Sequence, residues 1–84
     1  MARNYDLQDP YDIAMLKADF ESIAAAEWQE YIAFASHADY WKAFSKPDRD
    51  CLYDMERHAG NTYRISDKRI LWGLRLADKI DTMK

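Results

Sequence analysis

The 84-residue sequence has little of what stabilises small secreted proteins or builds β-sheets. It contains one cysteine, Cys51, so an intrachain disulfide is excluded and a reducing cytoplasm is favoured. It has only two glycines and two prolines, and valine is absent. The few β-branched residues never alternate with polar residues over the length of a strand. These absences predict an all-α, cytoplasmic protein.

Long apolar runs and metal-ligand motifs are also missing. No apolar run approaches the roughly 18 residues that a membrane-spanning helix requires, so no membrane contact is expected. His37 and His58 are far apart in the chain, and neither His-x-x-x-His nor Cys-x-x-Cys occurs. Cys51 lies on the apolar side of a predicted helix, where a thiol is usually inert. We therefore predict a non-enzymatic protein with no metal and no cofactor.

Helical periodicity dominates the sequence that remains. Asp9 and Pro10 form a helix-start signal, because Asp caps free N–H groups and Pro lacks the donor that the first turn would leave unpaired. Apolar residues then follow one side of a single helix from about 10 to 35. Shorter helices are expected at about 39–44, 46–58 and 67–82. The prediction is one domain, residues 1–84, folded as a compact bundle of three to four helices organised on the long N-terminal helix.

Glu27 is the residue that this long helix accommodates least well. If the helix is straight, Glu27 falls in the middle of its apolar side. Either the carboxylate is shielded and paired, or the helix bends near the alanines at 24–26 and turns it outward. The sequence leaves both alternatives open.

Acidic residues are concentrated in the first half of the chain. Residues 1–45 carry eight acids and three bases, whereas residues 46–84 carry seven acids and nine bases. Asp12, Asp19 and Glu30 share one side of the predicted first helix, where they would form an acidic face able to mimic nucleic-acid phosphates. The simpler interpretation is the ordinary solvated side of an amphipathic helix. The acidic balance argues against direct nucleic-acid binding as the main function.

Aromatic residues are abundant for so small a core, with three Trp, six Tyr and three Phe. Such residues are enriched at binding hot spots. The candidate aromatic and apolar partner-binding residues are Trp28, Ile32, Trp72 and Leu76. The alternative is that these side chains complete the core. The apolar arc of residues 70–83 is also broad enough to pack on two sides, which makes a homodimer an alternative.

Basic residues of the last helix support a different alternative, a small DNA- or RNA-binding regulator. Three aspartates lie among these basic residues and weaken their positive electrostatic field. The candidate nucleic-acid-binding residues are Arg64, Lys68, Arg69, Arg75 and Lys79.

The segment 63–80 contains a distinctive sequence pattern. It contains Ser66, Lys68 and Arg69, then Trp72, then the run 76–80 with sequence Leu-Ala-Asp-Lys-Ile. This resembles a helical segment of small phage and mobile-element proteins, with the pattern Ser-x-Lys-Gln, then Trp, then Leu/Ile-Ala-x-Lys-Ile. Arg69 stands in place of the usual Gln, and the match covers less than a quarter of the chain.

The resemblance implies a phage accessory protein, a class that includes anti-CRISPR inhibitors. Together with the acidic first half, it leads to the main hypothesis of a non-enzymatic protein-binding module. Its expected partner is a protein, in particular a host defence or nucleic-acid-processing complex, which it would inhibit by occlusion or phosphate mimicry.

Overall fold

The computed structural model describes residues 5–84, and this part of the chain contains helices and no strand. The all-α class is therefore confirmed. The α-helices are α1 (Pro10–Glu21), α2 (Ala25–Ala35), α3 (Lys46–Arg57) and α4 (Asp67–Met83), with 3-10 turns at Trp41–Ala43 and Thr62–Arg64.

The helix at the centre of the fold is α4. The other three α-helices all pack against it, and α2 also packs along α3. Within the described residues, the backbone of α1 lies close to α4 and to the 3-10 turn at Thr62–Arg64, and its Phe20 ring contacts Trp28 of α2. The broad apolar arc of α4 is thus covered by the same chain. Its buried residues are Ile70, Leu71, Gly73, Leu74, Leu76, Ala77 and Ile80.

The single N-terminal helix expected over residues 10–35 is two helices in the structure, and it is not the organising element. The α1 helix ends at Glu21, where the Ser22 hydroxyl donates to the Asp19 carbonyl at 2.6 Å. The backbone of Ala24 is extended, with φ −74° and ψ 157°, and α2 starts at the next residue. The chain therefore changes direction at residues 22–24.

The break is favoured by what it buries. It allows Phe20 and Trp28 to enter one core with their ring centroids 6.2 Å apart, and both side chains are fully buried. Burying a large aromatic side chain is worth several kcal/mol, about 3–5 by truncation to alanine. Each helical hydrogen bond lost contributes only about 1 kcal/mol net. The same change of direction leaves Glu27 exposed, which selects the second of the two alternatives for this residue.

The segment expected to be a helix at 39–44 forms only the 3-10 turn at Trp41–Ala43. Before this turn, the Asp39 backbone N–H donates to His37 Nδ1 at 3.1 Å. Phe44 is buried, while Trp41 is half-exposed. The later helices begin where their caps predict: Ser45 forms a capping box with N3 of α3, and the Ser66 side chain caps α4.

Candidate protein-binding surface

The solvent-facing side of α1 is apolar. Helical geometry places Tyr11, Ala14, Met15 and Ala18 within about one third of the circumference, opposite the buried residue Leu16. All four are exposed, Tyr11 at 71% and Met15 at 47% of their full accessible areas. We call these four residues the outward stripe. A helix whose outer side is apolar departs from the usual amphipathic pattern, in which charged residues face water.

The outward stripe is displayed on a helix that is held at its start. The Asp9 side chain caps α1 by accepting from the Tyr11 backbone N–H at 2.9 Å. The segment before it lies against the body of the protein, where Tyr5 and Leu7 pack on the core. These contacts restrain the first turn of α1, where the stripe begins.

The acidic face predicted from the sequence is not assembled as expected. Asp12 and Asp19 do lie on one side of α1, but Glu30 belongs to α2, beyond the break. Both aspartates are half-buried by the preceding segment: Asp12 Oδ2 accepts from the Asp6 backbone N–H at 2.8 Å, and Asp19 Oδ2 accepts from the Tyr5 hydroxyl at 2.9 Å. In the structure, both carboxylates therefore bind the segment that precedes α1.

The aromatic and apolar set is divided between core and surface. Trp28 and Leu76 are buried, so neither is available to a partner in this conformation. Trp28 is buried because the chain changes direction at residues 22–24, so that α2 has a different orientation from the second half of the expected long helix. Ile32 is half-buried against the core. Trp72 is also half-buried, and its indole Nε1 donates to Asp48 Oδ1 at 3.0 Å across the α3–α4 contact.

The basic set is partly brought together. Lys68, Arg75 and Lys79 follow one exposed side of α4, but the Lys79 ammonium donates to the Ala43 carbonyl at 2.6 Å. Arg64 lies outside the helix, in the 3-10 turn before it. Arg69 points to α3 and pairs with an aspartate there, as described next. The described structure thus forms no continuous basic surface from all five residues.

Arg69 belongs to a polar cluster that joins α3 to α4. Its Nε donates to Asp54 Oδ2 at 2.5 Å, and both side chains are about one third exposed. The guanidinium also lies 5.5 Å from the centroid of the Trp72 ring, a cation–π distance. Arg69 and Trp72 thus contribute to the contact between α3 and α4.

Cys51 is the remaining candidate for a chemically reactive side chain. Its side chain is fully buried and its Sγ donates to the Arg69 carbonyl at 3.6 Å. Burial raises the pKa of the thiol to about 12, although the nearby Arg69 charge opposes this shift. The neutral thiol is a poor nucleophile, so this position is structural.

Within residues 5–84, no three His, Cys, Asp or Glu side chains lie close enough together to hold a metal ion. In the same residues no helix combines the length and apolarity that crossing a membrane requires. Comparison of the chain with protein-family models, with curated proteins and with solved structures found no match.

The outward stripe was missed by the sequence analysis, although a signal for it is present. Positions 11, 14, 15 and 18 have the i, i+3, i+4, i+7 spacing of a helix contact surface. This pattern coexists with the inward pattern that includes Leu16 and Phe20, so the sequence of α1 has two apolar sides.

Proposed function

We propose that this protein is a non-catalytic binding module that docks on another protein through the outward stripe of α1. The observation that carries the proposal is the apolar side of α1 that is exposed to solvent, with Tyr11 and Met15 as its large side chains. Contiguous apolar surface of this kind marks interaction sites in soluble proteins. Tyr and Met are also among the residue types enriched in interfaces.

The proposal extends to the kind of partner through the resemblance of residues 63–80 to phage accessory proteins. On this basis the partner would be a component of a host defence or nucleic-acid-processing complex, inhibited by occlusion. Occlusion is favoured over phosphate mimicry because Asp12 and Asp19 are engaged by the N-terminal segment. The support for this part is the sequence resemblance alone.

The test is site-specific photo-crosslinking in the natural host. A photoreactive amino acid replaces Met15 in one variant and Tyr53 in a control variant, because Tyr53 is equally exposed but lies on α3. We expect one partner to be captured from position 15 and not from position 53. The double substitution Tyr11→Lys and Met15→Lys should abolish capture by a crosslinker at position 18. Capture that is equal at both positions, or that survives the double substitution, would refute the proposal.

A further inference from the structure

The break between α1 and α2 lacks the residues that begin and end the other helices. The α1, α3 and α4 helices each begin with a side-chain cap, whereas Ala24, the residue before α2, has no side chain that can accept a backbone N–H. Neither Ser22 nor Ile23 is the glycine or asparagine that commonly follows a helix end. Ala24 differs from a helical residue in ψ alone, since its φ of −74° is already close to helical. Local chemistry at the break therefore favours a continuous helix.

Core packing is what maintains the break. The buried side chains of α1 are Leu16 and Phe20, and Phe20 contacts Trp28 of α2 because the chain turns between them. In a straight helix Phe20 and Trp28 would be about 12 Å apart along the axis. Straightening within one copy would thus lose this contact and uncover the part of α4 that α1 now contacts. The local preference and the packing within one chain are in conflict.

A second copy of this chain removes the conflict. If α1 packs on α4 of another copy, the contact of Phe20 with Trp28 forms between chains and the helix is continuous. Residues 5–21 move as one unit in this exchange, because the hydrogen bonds from the segment before α1 to Asp12 and Asp19 lie within the unit. The interface that forms is the one the structure already contains.

The buried sides of the two helices permit this arrangement. On a continuous helix, Leu16 and Phe20 would lie about a quarter-turn around the axis from the buried residues of α2, Trp28 and Ala35. The two pairs would also be about 20 Å apart along the axis. One side of the helix can therefore pack on its own chain while the other side packs on the second copy.

We infer that residues 22–24 are a hinge that straightens when two copies of this chain exchange residues 5–21, so that each α1 packs on α4 of the other copy. The occupant of the uncovered α4 surface is thus the same helix that covers it in the structure. The exchange is independent of the proposed function, because it uses the buried side of α1 and leaves the outward stripe facing away from α4.

Glu27 keeps the single copy favoured. In the structure it is exposed in the first turn of α2, where a carboxylate is favourable at the helix start. In a continuous helix it would follow Phe20 at i+7 and Ile23 at i+4, in line with the side chains that face the second copy. An unpaired carboxylate is unfavourable in such a contact. We therefore expect the exchanged dimer to be a minor fraction of the wild type and to increase when Glu27 is replaced.

The hinge is tested with Ala25→Pro. Proline suits the first position of α2, and the extended Ala24 before it has the backbone that precedes proline, so the single copy is retained. In the interior of a continuous helix the same proline is strongly unfavourable. Ala24→Ser, which supplies the missing cap, is a second variant that favours the break by a different mechanism.

The assay is size-exclusion chromatography with light scattering after refolding from urea at roughly 1 mM protein, since exchange requires opening and a high concentration. We expect a dimer in the wild type and at least fivefold more of it in Glu27→Ala. Ala25→Pro should lower the dimer fraction at least tenfold, and Ala24→Ser should lower it too. The control Glu21→Ala removes the same charge from a side chain that points away from Phe20, so it should not raise the dimer fraction.

The contact between Phe20 and Trp28 distinguishes exchange from association through an outer surface. Dimers are formed from a mixture of isotope-labelled and unlabelled chains, and isotope-filtered NMR then detects contacts between chains. Exchange predicts that Phe20 contacts Trp28 of the other chain. A Phe20–Trp28 contact only within each chain of the dimer would overturn the inference. So would a dimer undiminished in Ala25→Pro or Ala24→Ser, or a Glu27→Ala variant that stays monomeric after concentrated refolding.

Discussion

The close contact between α3 and α4 at Gly73 predicts a change in stability on substitution, and the sign of that change depends on Met55. A Cβ atom built on Gly73 would overlap Met55 Sδ and Cγ. Met55 is fully buried, so its side chain cannot move aside without displacing other core atoms. Glycine here is required by close approach, and its position within α4 requires no special backbone conformation.

Two effects oppose each other in Gly73→Ala. Alanine is about 1 kcal/mol better than glycine in a helix interior. Over-packing of a dense core costs about 1–3 kcal/mol, and here the overlap involves the middle of the Met55 side chain as well as its flexible end. We expect Gly73→Ala to lower the free energy of unfolding by about 1 kcal/mol. For a domain of this length that corresponds to a Tm lower by roughly 4–8 °C.

The sign should reverse when Met55 is shortened. Met55→Ala alone should cost about 2–5 kcal/mol, because it leaves a cavity. In that background Gly73→Ala no longer meets the thioether, partly fills the cavity and should stabilise the protein by about 1 kcal/mol. The assay is urea unfolding of the wild type, both single variants and the double variant, followed by far-UV circular dichroism. A Gly73→Ala effect that is the same in both backgrounds would refute the reasoning, since neighbours in contact are expected to be non-additive.

Three further predictions concern buried and half-buried groups. The indole Nε1 of buried Trp28 has no hydrogen-bond partner, and an unpaired buried donor costs about 1–3 kcal/mol of stability. Trp28→Phe removes this donor, so it should lower the free energy of unfolding far less than Trp28→Ala, for which about 3–5 kcal/mol is expected. Equal losses in urea unfolding would contradict this. Burial raises the pKa of Cys51 to about 12 in the folded chain, against 9.0 ordinarily. As the pH rises, the thiol of the unfolded chain therefore ionises first. The stability that the buried thiol contributes is complete below pH 9 and declines between pH 9 and 12. Cys51→Ala should therefore lose less stability than the wild type over that range, and parallel pH profiles would argue against the burial effect. Asp54→Asn breaks the pair with Arg69, and because both side chains are partly solvated the loss should be about 1 kcal/mol and decrease at high salt; a salt-independent loss would exclude the electrostatic explanation.

The parts of the fold that follow from short-range chemistry were predictable. Asp9 caps α1, Ser45 opens α3 and Ser66 opens α4, as their sequence contexts indicate. Gly60 follows α3 with φ +76°, the left-handed conformation expected after a helix end. Each of these features depends on a few consecutive residues, so the sequence contains all the information that is needed.

The break between α1 and α2 was not predictable in the same way. Residues 24–26 are alanines, which favour helix, and periodicity continues through them. The break depends instead on the gain from placing Trp28 against Phe20, a contact that exists only in the assembled core. Such tertiary packing overrides local preference whenever the aromatic burial exceeds the helical hydrogen bonds that are lost.

The exposed apolar side of α1 was not predicted, for a related reason. A helix with apolar residues on two sides can be packed with either side inward, and periodicity alone does not identify which. Once Leu16 and Phe20 are buried, the second apolar side of α1 faces solvent, because no α-helix of residues 5–84 covers that side. The acids then become the borders of an apolar stripe. Two of the carboxylates that suggested phosphate mimicry, Asp12 and Asp19, instead accept hydrogen bonds from the segment that precedes α1.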